Sequence, residues 1–269
     1  MSEKNYNIFS IETEISVIKE MSLGGSGGNL PKWLLEDPKG LLYYAKGRSK
    51  HGAFEPEAEV CAYKLAQLFG VQAISYELII LTELSEQPVC ICHDYSDKQT
   101  VMSLYRYIES VTGVDPAELA GEDKFNLVSN VLNPQDKELH ASILYFDYIT
   151  GNKDRHLRNF DVRIDSDGDL LGLVPMFDTG ACLFSAEPDM QIRMACGHSD
   201  NYIQSKPYAN PHSNQLKLLN SMGYSPLLHS VKKEDIYKVI NSYFIGDRAK
   251  YLGQFVRLNT ERLGLLCQK

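Results

Sequence analysis

Asp154 and Asn159 stand with four residues between them in Gly151-Asn152-Lys153-Asp154-Arg155-His156-Leu157-Arg158-Asn159, and a second acid follows in Pro175-Met176-Phe177-Asp178-Thr179-Gly180. Residues 136–149 carry helical periodicity, with Leu139, Ile143, Phe146 and Ile149 on one face, so a helix delivers the chain straight to Asp154. Phe160 to Ile164 and Leu170 to Val174 flank the turn-forming run Asp165-Ser166-Asp167-Gly168-Asp169, which predicts a hairpin between Asn159 and Asp178. A fold that accepts this stretch must bring a helix end, a hairpin and a returning strand together, with three oxygen-bearing side chains gathered at one place.

The 269 residues suffice for two lobes around a cleft. Apolar residues at 43% and charged residues at 23% are those of an ordinary soluble globular protein. A net charge of −8 argues against general affinity for nucleic acid or anionic membranes, both of which attract basic surfaces. No apolar run approaches the roughly 20 residues of a membrane span. Cys61, Cys90, Cys92, Cys182, Cys196 and Cys267 show neither CxxC pairing nor zinc-site spacing, so free thiols in a reducing compartment are expected. Met1-Ser2-Glu3-Lys4 lacks the basic-then-apolar pattern of a secretion signal, and a cytoplasmic chain is the expectation.

Residues 14–19 alternate as a strand and run into Ser22-Leu23-Gly24-Gly25-Ser26-Gly27-Gly28. Residues 32–35 and 41–46 predict a hairpin around Asp37-Pro38-Lys39-Gly40. Glu55-Pro56 opens a helix with Val60, Tyr63, Leu65 and Leu68 near helical spacing, and Gly70 ends it. Residues 71–81 and 88–92 read as two more strands. Beyond His93-Asp94 the character turns helical. Helices are expected over 102–111, 136–149, 213–222, 233–245 and 247–266, with an irregular stretch over 183–212. The expectation is an α+β fold of two lobes: a small β-rich lobe with one main helix over residues 1–92 and a larger helical lobe over 93–269.

An Asp, four residues and an Asn, then Phe-Asp-x-Gly behind a hairpin, is the phosphoryl-transfer arrangement of protein-kinase-like folds. In that chemistry Asp154 accepts the hydroxyl proton or orients the attacking oxygen, while Asn159 and Asp178 hold Mg²⁺ on the triphosphate of ATP. Gly24, Gly25, Gly27 and Gly28, with Ser22 and Ser26 beside them, would let backbone amides close over phosphates; a flexible linker has the same composition. The run matches neither GxGxxG nor GxxxxGK[ST]. Lys46 ends its strand as does the phosphate-gripping lysine of Val-Ala-Ile-Lys. Either Glu57 or Glu59 of the next helix could pair with it, Glu59 being better placed. The change of character at Cys90, Ile91, Cys92 and His93 puts the adenine-binding link between the lobes at Cys90 to Asp94. The Asp165 to Asp169 run lacks the glycine and glutamate of a calcium loop and reads as a solvated turn.

Together, Ser22-Leu23-Gly24-Gly25, Pro31-Lys32, Lys46, Asn152-x-Asp154-Arg155-His156-x-x-Asn159 and Pro175-x-Phe177-Asp178 resemble the HipA-like serine/threonine kinases. The resemblance implies a two-lobed kinase fold, ATP with Mg²⁺, and a Ser or Thr acceptor in a protein. It implies Asp154 as base, Asn159 and Asp178 as metal ligands and Lys46 as phosphate clamp. It also implies autophosphorylation of a loop serine, which Ser22 matches and Ser26 neighbours; a turn-capping Ser22 is the competing reading. The layout is similar to the short stand-alone members, cell-translocating kinases among them, since the longer toxins carry an extra N-terminal subdomain. A small-molecule or lipid kinase on the same fold, and a nucleotide-binding scaffold without turnover, are the alternatives.

Overall fold

The computed structural model describes residues 16–21, 30–49, 53–80, 87–96 and 99–267. Its first lobe carries an antiparallel sheet of β1 (Ser16–Met21), β2 (Lys32–Glu36), β3 (Leu42–Lys46), β4 (Glu77–Ile79) and β5 (Val89–His93), in the order β1-β2-β3-β5-β4. The β2–β3 hairpin closes where Asp37 Oδ1 accepts from the Lys39 and Leu41 amides at 2.8 and 2.9 Å, with Gly40 at φ +80°. That turn sets Lys32 opposite Lys46, and β3 pairs onward so that Lys46 lies opposite Cys90. Strand alternation then sorts the side chains. Trp33, Leu35, Ala45, Val89 and Ile91 gather on one face; Cys90 and Cys92 join Val60, Tyr76 and Leu78 on the other.

Helix α1 (Glu55–Phe69) packs against this second face, with Pro56 in its first turn and Gly70 at φ +75° closing it. Its inner stripe belongs elsewhere. Ala58, Cys61, Leu65, Ala66 and Phe69 are buried in the same apolar core as the helices of the second lobe. Both ends are tied there too: the Phe54 amide donates to Ser185 O at 2.8 Å, and Phe69 O accepts from the His229 amide at 2.8 Å. The run 71–81, expected as one strand, divides between two partners. The Ile74 amide donates to Met176 O at 2.8 Å and the Met176 amide to Gln72 O at 2.9 Å, while among the described residues of the run Glu77–Ile79 pairs with β5.

The second lobe comprises α2 (Leu104–Thr112), α3 (Gly121–Val131), α4 (Pro134–Thr150), α5 (Asp189–Ala195), α6 (His212–Ser221), α7 (Lys233–Tyr243) and α8 (Gly246–Arg262). A small sheet of β6 (Thr100–Ser103), β7 (Asp161–Ile164) and β8 (Leu170–Leu173) lies beside them. The helix expected from Met102 therefore starts at Leu104, because Thr100–Ser103 extends to pair with β7 and Ser103 caps α2 by accepting the Arg106 amide at 3.4 Å. Two helices were not expected. Helix α3 opens on glycine without a side-chain cap and includes Asn126, Ser129 and Asn130, so its intrinsic preference is weak and burial of Phe125 and Val128 holds it. Helix α5 lies within the stretch expected to be irregular.

Helix α4 is the axis of this lobe. Asn133 caps it by accepting the Asp136 amide at 2.9 Å, and Ile143, Leu144, Tyr145, Phe146 and Ile149 are all buried around it. It stops at Gly151, φ +68°, where a Cβ would stand 2.8 Å from Ile203 and 3.1 Å from Phe255. Only glycine both turns the chain here and fits.

Earlier on α4, His140 is buried with its Nε2 3.0 Å from the Tyr208 hydroxyl. Burial, and then the charge of Arg155, lower its pKa from 6.5 to about 3. The unfolded chain takes up this proton near pH 6.5 and the folded chain refuses it down to about pH 3, so the group's contribution to stability is lost as pH falls through that window. His140→Gln, which keeps an acceptor for Tyr208, should reduce the fall in melting temperature between about pH 6.5 and pH 4. An unchanged slope would place the acid sensitivity elsewhere.

Candidate active site

Asp147 is the one acid in the apolar stretch Ile143 to Ile149, and it is fully buried. It accepts from Asn152 Nδ2 at 2.8 Å, from Arg155 Nε at 2.9 Å and from Arg155 Nη2 at 3.2 Å. Arg155 is itself fully buried, and its Nη1 donates to Asn159 O at 3.0 Å and to Phe177 O at 2.7 Å. One guanidinium thus joins the end of α4, the turn bearing Asn159 and the segment bearing Asp178. Asn159 Nδ2 donates one of its two hydrogens to Asp154 O at 2.9 Å, and Oδ1 accepts no hydrogen bond among the described residues.

Asp178 adopts φ +54°, a left-handed conformation unusual for a residue with a side chain. Its neighbours are held on both sides: Arg155 grips Phe177 O, and Glu59 Oε1 accepts the Thr179 amide at 2.8 Å. The carboxylate meets Lys46 Nζ at 2.9 Å, and Glu59 Oε2 lies 3.6 Å from the same nitrogen. Glu57 instead makes an ion pair with Arg48. Burial opposes the charge on Lys46, but Asp178 and Glu59 outweigh it and raise its pKa well above the usual lysine range. Burial would raise the Asp178 carboxyl, yet Lys46 and then Lys32 bring it down to about 2.

Lys46, Asn159 and Asp178 line a cleft of about 580 Å³ between the sheet and the second lobe. Its aromatic wall includes Tyr95, stacked on Phe177 with ring centroids 5.5 Å apart. The Tyr95 hydroxyl donates to Asp161 Oδ2 at 3.2 Å, and burial pushes that carboxyl up to about 6. Of the four residues expected to meet adenine, Cys92 lines the cleft. Cys90 shares its face but turns its Sγ to Lys46 O at 3.7 Å; Ile91 packs in the Trp33 cluster; the His93 ring lies tilted against Tyr43, with centroids 4.3 Å apart. Strand side chains alternate between the two faces of the sheet, while the backbone of the segment, through which contact with adenine is expected, is common to all four. Ser22, Gly24, Gly25, Ser26, Gly27 and Gly28 lie outside the described residues.

Sequence reasoning passed over several groups here. Arg155 had no assigned role, although an acid inside an apolar helix, Asp147, signals a buried partner. Asp161 drew no notice beside Asn159. Lys206 Nζ sits 2.8 Å from Asp154 Oδ1, a partner 52 residues away that no local motif could disclose. His156 Nε2 is 3.9 Å from Asp154 Oδ2, and burial holds its pKa below the usual histidine value.

Two lobes about a cleft, with a lysine–carboxylate pair on one side and the Asp154 loop on the other, define a protein-kinase-like fold. The chain is similar to a Helicobacter pylori proinflammatory kinase, CtkA, with a TM-score of 0.69 and 17% identity over 96% of this chain and 95% of that one. It is also similar to HipA of Shewanella oneidensis MR-1, solved with HipB and operator DNA, with a TM-score of 0.53 and 12% identity over 96% of this chain and 74% of that one. No family model and no curated protein matches the sequence. The α+β, HipA-like architecture that the motifs led us to expect is the architecture observed.

Removing one partner of a fully buried pair leaves the other charge uncompensated. Arg155→Met should therefore cost about 3–5 kcal/mol of stability. Chemical denaturation of parent and variant measures it; a loss below about 1 kcal/mol, the range of a surface pair, would contradict the burial described.

Proposed function

We propose that this protein is an ATP- and Mg²⁺-dependent serine/threonine protein kinase of HipA-like type. The observation that carries the reading is the convergence of Lys46, Glu59, Asn159 and Asp178 about one cleft, with Asp154 bonded beside them. The donor set suits the metal. Asn159 Oδ1 and the Asp178 carboxylate are hard oxygens of the kind Mg²⁺ takes. Among the described residues no three His, Cys, Asp or Glu side chains gather into a protein cage, as fits an ion shared with phosphate oxygens and water. When bound, Mg²⁺ would offset the charge of the β and γ phosphates.

The chain's own groups then have distinct tasks. Lys46 stays protonated beside Asp178 and Glu59 and serves as clamp for the α and β phosphates. Asp154, with a side chain 48% exposed, is open to a protein acceptor and receives the proton of its hydroxyl. Cys92 and the Tyr95–Phe177 stack offer the adenine a polarisable and aromatic surface.

Incubation with γ-labelled ATP, Mg²⁺ and generic acceptor proteins, followed by mass spectrometry, tests this reading. Label on Ser or Thr is expected; label confined to a lipid or small molecule, or none, overturns it. Asp178→Ala and Lys46→Met should each lower transfer on the order of 10²–10³-fold while circular dichroism stays unchanged.

Ser22 is, on this reading, an autophosphorylation site. A phosphate there adds about −1.5 to −2 charges to the glycine-rich run that the resemblance assigns to phosphate binding, and so limits the enzyme. Intact mass after incubation with ATP should rise by one phosphate in the parent and stay constant in Ser22→Ala. The same gain in both proteins removes Ser22 from the mechanism.

A further inference from the structure

Lys206 and Asp154 form an ion pair at 2.8 Å with side chains 47% and 48% exposed, a setting in which such a pair adds little to stability. The segment that presents Lys206 is nevertheless firmly built. The Ser205 amide donates to Asn210 Oδ1 at 3.0 Å, and the Tyr208 amide donates to Gln215 Oε1 at 3.2 Å. The Tyr208 ring is buried 5.1 Å from Phe125, with its hydroxyl on His140. His212 Nε2 meets Asn152 O at 2.9 Å, and Asn152 Oδ1 in turn accepts the Asp154 amide at 3.2 Å. Lys206 and Asp154 are therefore placed by one connected framework. The other neighbour of Asp154 is His156, too distant for a hydrogen bond and held toward its neutral form by burial. Near neutral pH the charge that faces Asp154 belongs to Lys206.

We propose that Lys206 is a positioning residue for phosphoryl transfer: it pairs with Asp154 Oδ1, fixes the rotamer, and leaves Oδ2 to receive the acceptor hydroxyl. The proposal rests on the phosphotransferase reading above. In the step, the acceptor oxygen bonds to the terminal phosphorus of ATP, the bond from that phosphorus to the bridging oxygen breaks, and ADP departs with its electron pair. The hydroxyl proton passes to Asp154 Oδ2, and Lys206 keeps its own proton throughout. Transfer through a loose transition state asks little of base strength and much of aim. A lysine that fixes the direction of the carboxylate suits that demand.

The test compares the full chain with Lys206→Met, Lys206→Arg, Asp154→Asn and the Asp154→Asn/Lys206→Met double variant, by ADP release from Mg-ATP with casein as acceptor. Lys206→Met should lower kcat roughly 10- to 100-fold, with KM for ATP changed less than about threefold and melting temperature unchanged. Lys206→Arg should recover most of the loss. In the Asp154→Asn background Lys206→Met should cost nothing more, since no carboxylate remains to be aimed. Parental kcat in Lys206→Met, a change in KM alone, or the same fractional loss in both backgrounds overturns the positioning role and leaves the phosphotransferase reading standing. A parent that releases no ADP overturns that reading and this role together.

Discussion

Asp147 and Arg155 meet where neither touches water, and the cleft takes its shape from that meeting. Burying two ions costs several kcal/mol each, which attraction offsets only when the remaining hydrogen-bonding capacity is met. Here it is met within the loop: the guanidinium reaches the carboxylate of Asp147 and the carbonyls of Asn159 and Phe177. A lysine could neutralise Asp147, but its point charge lacks the planar fork that addresses separate acceptors at fixed angles. The pair thus contributes orientation more than adhesion. Asn159 and Asp178 come from opposite sides of a hairpin, and the same side chain sets the spacing of both.

Glu59 does for the opposite side of the cleft what Arg155 does for the floor. One of its oxygens receives the Thr179 amide and the other faces Lys46, so the acid links the residue after Asp178 to the sheet. Lys46 lies between two carboxylates, Asp178 and Glu59, and both keep it charged. Its attraction to Asp178 also sustains a backbone conformation that the residue would not choose unaided.

What was legible in the sequence was local. The periodicity of α4, the turn before β8 and the Asp–Asn–Asp spacing are set within a few dozen residues, and each survives in the structure. What was hidden depended on distant partners. Residues 100–103 become a strand because β7 accepts them, and residues 71–80 divide because Met176 captures the first part. Glu57 and Glu59 look alike in a sequence, yet two positions along a helix turn the chain by more than half a circle. Arg48 takes the first and Lys46 the second. Lys206 had no motif to announce it, since its position derives from the buried anchors Tyr208 and His212.

Helix α1 is counted with the sheet by chain order, but its bonds are with the other lobe. Its inner stripe lies in the large core, Phe54 is pinned to Ser185 with Arg248 over its ring at 4.3 Å, and Phe69 is pinned to His229. Mechanically it is part of the foundation. The sheet rests on it through a separate, smaller patch around Val60, Cys90 and Cys92. A cleft framed this way is not a pair of jaws, since one helix of the upper half is built into the lower one. Glu59 is fastened to Thr179 of the foundation, whereas Lys46 belongs to the sheet, so the ion pairs of Lys46 are seams between cover and sill.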